Sequence, residues 1–392
     1  MNIYESALKM HEAVKGKLEV KLKVPLEKVE DMSLAYTPGV AAPCLAIKED
    51  KEAAYKYTWK GNSVAVVSDG TAVLGLGDIG PTAAMPVMEG KAILFKQFAG
   101  IDAVPICLDT KDPQEIIKIV KAMAPSFGGI NLEDIAAPRC VEIERQLIKE
   151  LDIPVFHDDQ HGTAIIVVAG LINALKLVNK KIEDITVVVS GAGAAGSSII
   201  KMIHALGIKS IYAYNINGII TSEDDENYDF LTRELSAITN TKQERIEMVE
   251  AIKKADVFLG VSAPKVLTKE MVASMKEDAI VFAMANPEPE ISYEDAISAG
   301  ARVMGTGRSD FPNQINNVLA FPGLFRGALD CRATKISEGM KLAASHAIAS
   351  LVEESELCET YVVPSALDDR VAKVVAQAVA LQAKKEGLIR GK

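Results

Sequence analysis

Residues 185–200 read I-T-V-V-V-S-G-A-G-A-A-G-S-S-I-I, a β-branched run that breaks at three glycines and resumes in a pattern suited to a helix. Gly191, Gly193 and Gly196 stand at the spacing of the dinucleotide fingerprint. They follow a strand and open a helix, the context that fingerprint requires. The backbone of Gly191, Ala192, Gly193, Ala194, Ala195 and Gly196 is therefore expected to hold a pyrophosphate at the helix N-terminus. The second strand of the unit, Ser210 to Asn215, ends in an amide where an acid normally holds the ribose 2′-hydroxyl. An amide can bond the hydroxyl and does not repel a 2′-phosphate, and no arginine lies close in sequence to grip that phosphate. The coenzyme is expected to be NAD or NADP, with the choice open.

Upstream, strands and helices alternate: Ala103 to Leu108, a helix from Pro113 to Ala124, Ile130 to Ile135, a helix from Pro138 to Leu151, and Ile153 to Phe156. Such alternation implies a parallel sheet with crossover helices. Two acidic pairs, Glu133-Asp134 and Asp158-Asp159, then fall at the same carboxyl-terminal edge. Ligands bind at such edges, and oxygen donors from two neighbouring strand ends suit a hard cation such as Mg²⁺ or Mn²⁺. His157 and His161 have the i, i+4 spacing of a zinc hydrolase helix, but they straddle the junction between strand and helix and lack a third soft ligand.

A chain of 392 residues exceeds one ordinary core. The expected fold class is α/β: an N-terminal α/β substrate and metal domain over 1–162, then a Rossmann-type, doubly wound domain with a C-terminal helix over 163–392. The formal net charge of -10 argues against nucleic acid or anionic membrane as the main partner. Five scattered cysteines fit neither a disulfide framework nor a zinc site, and suggest a reducing cytoplasm. The amino terminus carries charges where a signal peptide needs an apolar run, and the most apolar segment, Ala164 to Val178, is too short to span a bilayer.

Several other residues are ambiguous one at a time. Tyr36 precedes a rigid bend in Y-T-P-G, and a lone tyrosine there is more often a cap on the core. Asp69-Gly70 joins two short apolar runs and reads as a hairpin. The following G-L-G-D-I-G leads into Pro81, not the G-K-[ST] of a triphosphatase. Lys91 lies between Gly90 and an apolar run, so desolvation would lower its pKa toward that of a base. Asn286, Asn316 and Asn317 close later strand ends and are candidates to face a ligand, although an asparagine in a turn commonly bonds its own backbone.

Taken together, A-Y-T-P-G-V, E-G-K-A, N-L-E-D, F-H-D-D-Q-H-G-T, G-A-G-A-A-G, A-N-P and N-N-V-L-A-F-P-G resemble the malic enzymes in their compact bacterial or archaeal form. The resemblance implies oxidative decarboxylation of (S)-malate to pyruvate and CO₂, with NAD⁺ or NADP⁺ and Mg²⁺ or Mn²⁺. It implies metal ligation by Glu133, Asp134 and Asp159, and general base chemistry at Lys91. It further implies a general acid at Tyr36, an orienting role for Asp158, and binding of substrate or nicotinamide ribose by Asn286 with Asn316 or Asn317. A homodimer is implied as well. One departure is Ala72, where larger members of the family carry an arginine for a malate carboxylate. The alternative on the same scaffold is a soluble, metal-dependent oxaloacetate decarboxylase, against which the intact glycine loop weighs. A non-catalytic nucleotide sensor would leave the acidic strand ends without purpose.

Overall fold

The computed structural model describes residues 2–73 and 75–390. The first of its two sheets contains β1 (Ser63–Ser68), β2 (Asp102–Cys107), β3 (Gly129–Leu132) and β4 (Val155–His157) in the order β2-β1-β3-β4, all parallel. The second contains β5 (Thr186–Ser190), β6 (Ser210–Asn215), β7 (Gly218–Ile219), β8 (Val257–Gly260), β9 (Ile280–Ala283) and β10 (Val303–Thr306). Its order is β10-β9-β8-β5-β6-β7, parallel except for the β6–β7 pair. The glycine-fingerprint strand β5 is thus central, and the order reverses beside it. That reversal is where doubly wound sheets bind dinucleotides.

The expected hairpin at Asp69-Gly70 does not form. Both edges of β1 are occupied, by β2 and by β3, so a strand returning from Gly70 has nowhere to pair. The segment becomes instead a loop in which Asp69 Oδ1 accepts from Thr71 N at 3.1 Å, and Gly70, Gly75, Gly77 and Gly80 take positive φ. Position 74 of this segment lies outside the described residues.

The apolar segment from Ala164 belongs to a helix that starts earlier, at Asp158, and runs unbroken to Leu177. Asp158 and Asp159 therefore occupy its first turn instead of a loop. Carboxylates are favoured there by the unpaired N–H groups and the helix dipole. This helix passes through residue 162 and packs its apolar residues into a core shared with β5, β8 and β9. By length and composition it could cross a bilayer, but 78% of its apolar 18-residue stretch is buried inside the protein. The asparagine that interrupts its apolar run is satisfied internally, since Asn173 Nδ2 donates to Ala349 O at 2.9 Å and to Val362 O at 3.0 Å.

Between residues 2 and 50 the chain forms the helices Ile3–Val14, Val29–Ala35 and Ala41–Glu49. None of these helices contains a buried residue. Their apolar side chains, among them Ile3, Leu8, Val29 and Leu34, are exposed, as are Val20, Leu22 and Val24 between them.

Candidate active site

The pairing of β3 with β4 builds the site. Leu132 is opposite His157 in register, so Glu133 and Asp158 leave the sheet side by side. The helix Pro81–Ala99 crosses the same edge and turns Lys91 inward, where the residue is 8% exposed. Lys91 Nζ lies 2.6 Å from Asp158 Oδ2 and 2.8 Å from Glu133 Oε1. Beneath it lies the ring of Phe321, 4.3 Å from Nζ to centroid.

Glu133, Asp134 and Asp159 each offer one carboxylate oxygen within 4.8 Å of the others. Asp134 takes a left-handed backbone, φ +53°, and its N–H donates to Asp159 Oδ2 at 2.8 Å. Asp134 Oδ2 is buried and has no partner among the described residues. Asp159 keeps 37% of its side chain exposed and opens the cluster to the cleft. All the donors are hard oxygens. His161 turns away, with Nε2 2.9 Å from Glu144 Oε2, so the described residues hold no zinc cluster built on the two histidines.

The electrostatics of this cluster are out of balance. Burial, with the neighbouring acids, pushes Glu133, Asp134 and Asp159 above the usual carboxylate range. Burial likewise raises Asp158 to about 7, although Lys91 and Asn317 pull it back. Four carboxylates face a single lysine. Burial alone would lower the Lys91 pKa, as the sequence suggests, but Asp158 and Glu133 outweigh it and the pKa is raised. The expectation of a low lysine pKa thus fails for the chain by itself, because among the described residues the ammonium is the only cation in contact with these acids. A divalent cation fits both the donor chemistry and the missing charge.

The remaining candidates divide. Asn317 Nδ2 donates to Asp158 Oδ2, joining the lysine network. Asn316 spends its Oδ1 on Val318 N at 3.0 Å and caps a short 3₁₀ turn. Asn286 Nδ2 donates to Met284 O at 3.3 Å, beyond the end of β9. Tyr36 ends the helix Val29–Ala35 and is 68% exposed, and no described side-chain contact joins it to Lys91. Sequence reasoning missed Asn131, whose Nδ2 donates to Glu133 Oε2 at 2.8 Å. Its place two residues before Glu133, on the same side of a strand, was the available signal. It also missed Arg139, whose Nη2 lies 2.9 Å from Asp69 Oδ2 and also reaches Thr71, next to Ala72. Nothing local in the sequence points to that contact.

At the second sheet, Gly191 has φ +100° and donates its N–H to Tyr214 O at 2.9 Å. A Cβ at Gly196 would fall 1.9 Å from Gly191 O, whereas one at Gly193 would meet nothing within 4 Å. The loop is therefore tight against the protein at Gly196 and open at Gly193, where the helix Ala194–Leu206 begins. A phosphate group fits that open side.

Residues 15–115 and 110–148 match the malic enzyme N-terminal domain, and residues 160–384 match the malic enzyme NAD binding domain. The chain belongs to the malic enzyme family. It is 58% identical over 390 residues to the bifunctional malic/malolactic enzyme of Bacillus subtilis, covering 100% of this chain and 95% of that protein. It is 58% identical over 391 residues to the NAD-dependent malic enzyme of Geobacillus stearothermophilus, covering 100% of this chain and 81% of that protein. The crystal structure of a malic enzyme from Pyrococcus horikoshii superposes with a TM-score of 0.94 at 50% identity, covering 100% of this chain and 93% of that one. The two-sheet architecture is accordingly that of a malic enzyme.

Proposed function

We propose that this malic enzyme converts (S)-malate to pyruvate and CO₂ while reducing NAD⁺ or NADP⁺, with Mg²⁺ or Mn²⁺ as its metal. The observation that carries the reading is the position of Lys91, gripped by Asp158 and Glu133 beside the Glu133, Asp134 and Asp159 cluster. Those three carboxylates would hold the cation. When bound, the cation would polarise the substrate oxygen as a Lewis acid and cancel the field by which the acids keep Lys91 protonated.

Lys91 then removes the proton from the C2 hydroxyl through Nζ as the C2 hydride leaves for the nicotinamide. Asp158 holds Nζ in place for that transfer and is itself held by Asn317. After CO₂ departs, Tyr36 donates a proton to C3 of the enolate. One proton leaves oxygen and one arrives at carbon, so the overall reaction releases no net proton. Gly191 to Gly196 would carry the coenzyme pyrophosphate, with Asn215 at the adenosine ribose and Asn286 near substrate or nicotinamide ribose. Asn316 serves the site indirectly, by capping the turn that presents Asn317. With Ala72 in place of the arginine of larger relatives, Arg139 is the candidate for a malate carboxylate. Its Nη2 is anchored on Asp69, and its buried Nε has no partner among the described residues.

A homodimer accounts for the exposed apolar face of residues 3–36 and for the exposure of Tyr36, because a second copy would cover both. A reducing cytoplasm suits the five free cysteines. The test is the initial rate of NAD⁺ and, separately, NADP⁺ reduction by (S)-malate, with Mn²⁺ present and then chelated, for wild type and Lys91→Ala. Metal-dependent reduction with stoichiometric pyruvate, lost in Lys91→Ala, is the expected result. Release of CO₂ from oxaloacetate without any coenzyme reduction would overturn it.

A further inference from the structure

Family membership leaves the coenzyme open, since members are named for either one. A cavity of about 450 Å³ at the end of β6 bears on the choice, with Asn215, Asn217, Asp224, Arg245 and Glu247 among its walls. It adjoins the glycine loop, because the carbonyl that accepts the Gly191 N–H belongs to Tyr214, one residue before Asn215. In a sheet of this class that is where the adenosine ribose is held.

Asn215 Oδ1 accepts the Asn217 N–H at 2.8 Å, which fixes the side chain and leaves Nδ2 without a partner among the described residues. A free amide donor suits a ribose hydroxyl. The arginine that is absent near Asn215 in sequence arrives through the fold as Arg245, thirty residues later, but it is already engaged. Its Nη1 and Nη2 donate to the two oxygens of Asp224 at 3.0 Å each, and its Nε and Nη2 donate to Glu223 Oε2 at 3.3 and 3.1 Å. Asp224 is pinned in turn by Thr221 Oγ1 at 2.9 Å. Glu247 adds a further carboxylate to the wall. Four of the five Arg245 N–H groups are thus committed to two acids, and a 2′-phosphate drawn to Arg245 would sit as a dianion beside both carboxylates.

We propose that this cavity selects NAD⁺ over NADP⁺: Asn215 serves the ribose 2′-hydroxyl, while Glu223 and Asp224 withhold Arg245 from a 2′-phosphate. The inference rests on the coenzyme-binding reading given above. Exposed ion pairs are weak one at a time, so the expected preference is about tenfold in affinity.

The experiment is titration of the purified full chain with NADH and with NADPH, read by nicotinamide fluorescence without malate. It uses the wild type, the double variant Glu223→Gln/Asp224→Asn, and that double variant carrying Arg245→Ala in addition. All three side chains lie at the surface, 58%, 32% and 56% exposed, so the variants are expected to fold. The wild type should bind NADH about tenfold more tightly than NADPH, and the double variant should gain about tenfold for NADPH. The added Arg245→Ala should abolish that gain. Equal or tighter binding of NADPH by the wild type overturns the inference while the coenzyme reading stands. Failure to bind either nucleotide overturns both.

Discussion

Asp158 Oδ2 lies 2.6 Å from Lys91 Nζ although 67 residues separate the two. The same oxygen accepts from Asn317, on the far side of the second sheet in sequence. One carboxylate oxygen therefore ties Lys91 to both halves of the chain. Asp158→Asn removes the charge but keeps the shape, so Lys91 loses its stronger anchor and retains Glu133. The expected result is a fall in kcat of roughly 10²–10³ with KM for malate changed much less. A comparable loss confined to KM would remove Asp158 from the orienting role.

The cluster of Glu133, Asp134 and Asp159 predicts a different signature. Asp159→Asn replaces one of three converging oxygens by an amide and should weaken Mn²⁺ binding by roughly 10–100-fold. Electron paramagnetic resonance of free Mn²⁺ measures this without turnover. Asn131→Ala, which frees Glu133 Oε2, should weaken Mn²⁺ by a smaller factor in the same assay. Unchanged affinity in Asp159→Asn would exclude it as a ligand.

Much of this was legible in the sequence, because the features involved are local. The β-branched run into Gly191, Gly193 and Gly196 marks β5 and its helix, and β6 spans Ser210–Asn215 as its pattern indicates. The acidic pairs likewise mark the edge shared by β3 and β4. What failed depended on partners remote in sequence. Asp69-Gly70 has hairpin chemistry, and only the capture of both edges of β1 by β2 and β3 prevents the hairpin. Desolvation alone pointed to a low pKa for Lys91, and only the convergence of Asp158 and Glu133 reverses it. The absence of a nearby arginine after Asn215 was true of the sequence and not of the space around it, where Arg245 stands.

Glu144 ties the histidines of the motif to the fold, with Oε1 accepting from His157 N and Oε2 2.9 Å from His161 Nε2. Burial would raise its pKa, but His161 and Lys341 prevail and hold it at about 2, against an ordinary value of 4.5. A carboxylate with a depressed folded-state pKa stabilises the fold above its unfolded pKa, and that contribution is lost as pH falls through the folded value. The shift corresponds to about 3 kcal/mol at neutral pH. Urea unfolding should therefore show Glu144→Gln less stable than wild type at pH 7. The gap between them should close as pH falls from about 4.5 toward 2. A gap that does not vary with pH would mean that Glu144 contributes packing and not charge.

Arg139 is 26% exposed at its side chain and is held through Asp69 and Thr71, so Arg139→Ala removes a cation beside Ala72. If it binds a malate carboxylate, KM for malate should rise roughly tenfold or more while Mn²⁺ affinity stays near wild type. Arg139→Lys should restore part of the loss, since the charge returns without the fork. A variant with wild-type KM would leave Arg139 as a clamp on the Asp69 loop only.

Tyr36 gives the most direct test of the dimer. It is 68% exposed and has no described side-chain contact with Lys91, so within one chain the phenol is not joined to the proposed base. If the partner subunit supplies the phenol, Tyr36→Phe and Lys91→Ala fall in the same site of a mixed dimer and leave the other site intact. Equal amounts of the two inactive variants, unfolded and refolded together, should regain about a quarter of the wild-type rate, since half the dimers are mixed and each has one working site of two. Each variant refolded alone should stay inactive. Recovery would place the acid and the base on different chains. No recovery, with mixed dimers demonstrated by a tag on one variant, would require the helix Val29–Ala35 to fold over its own site instead.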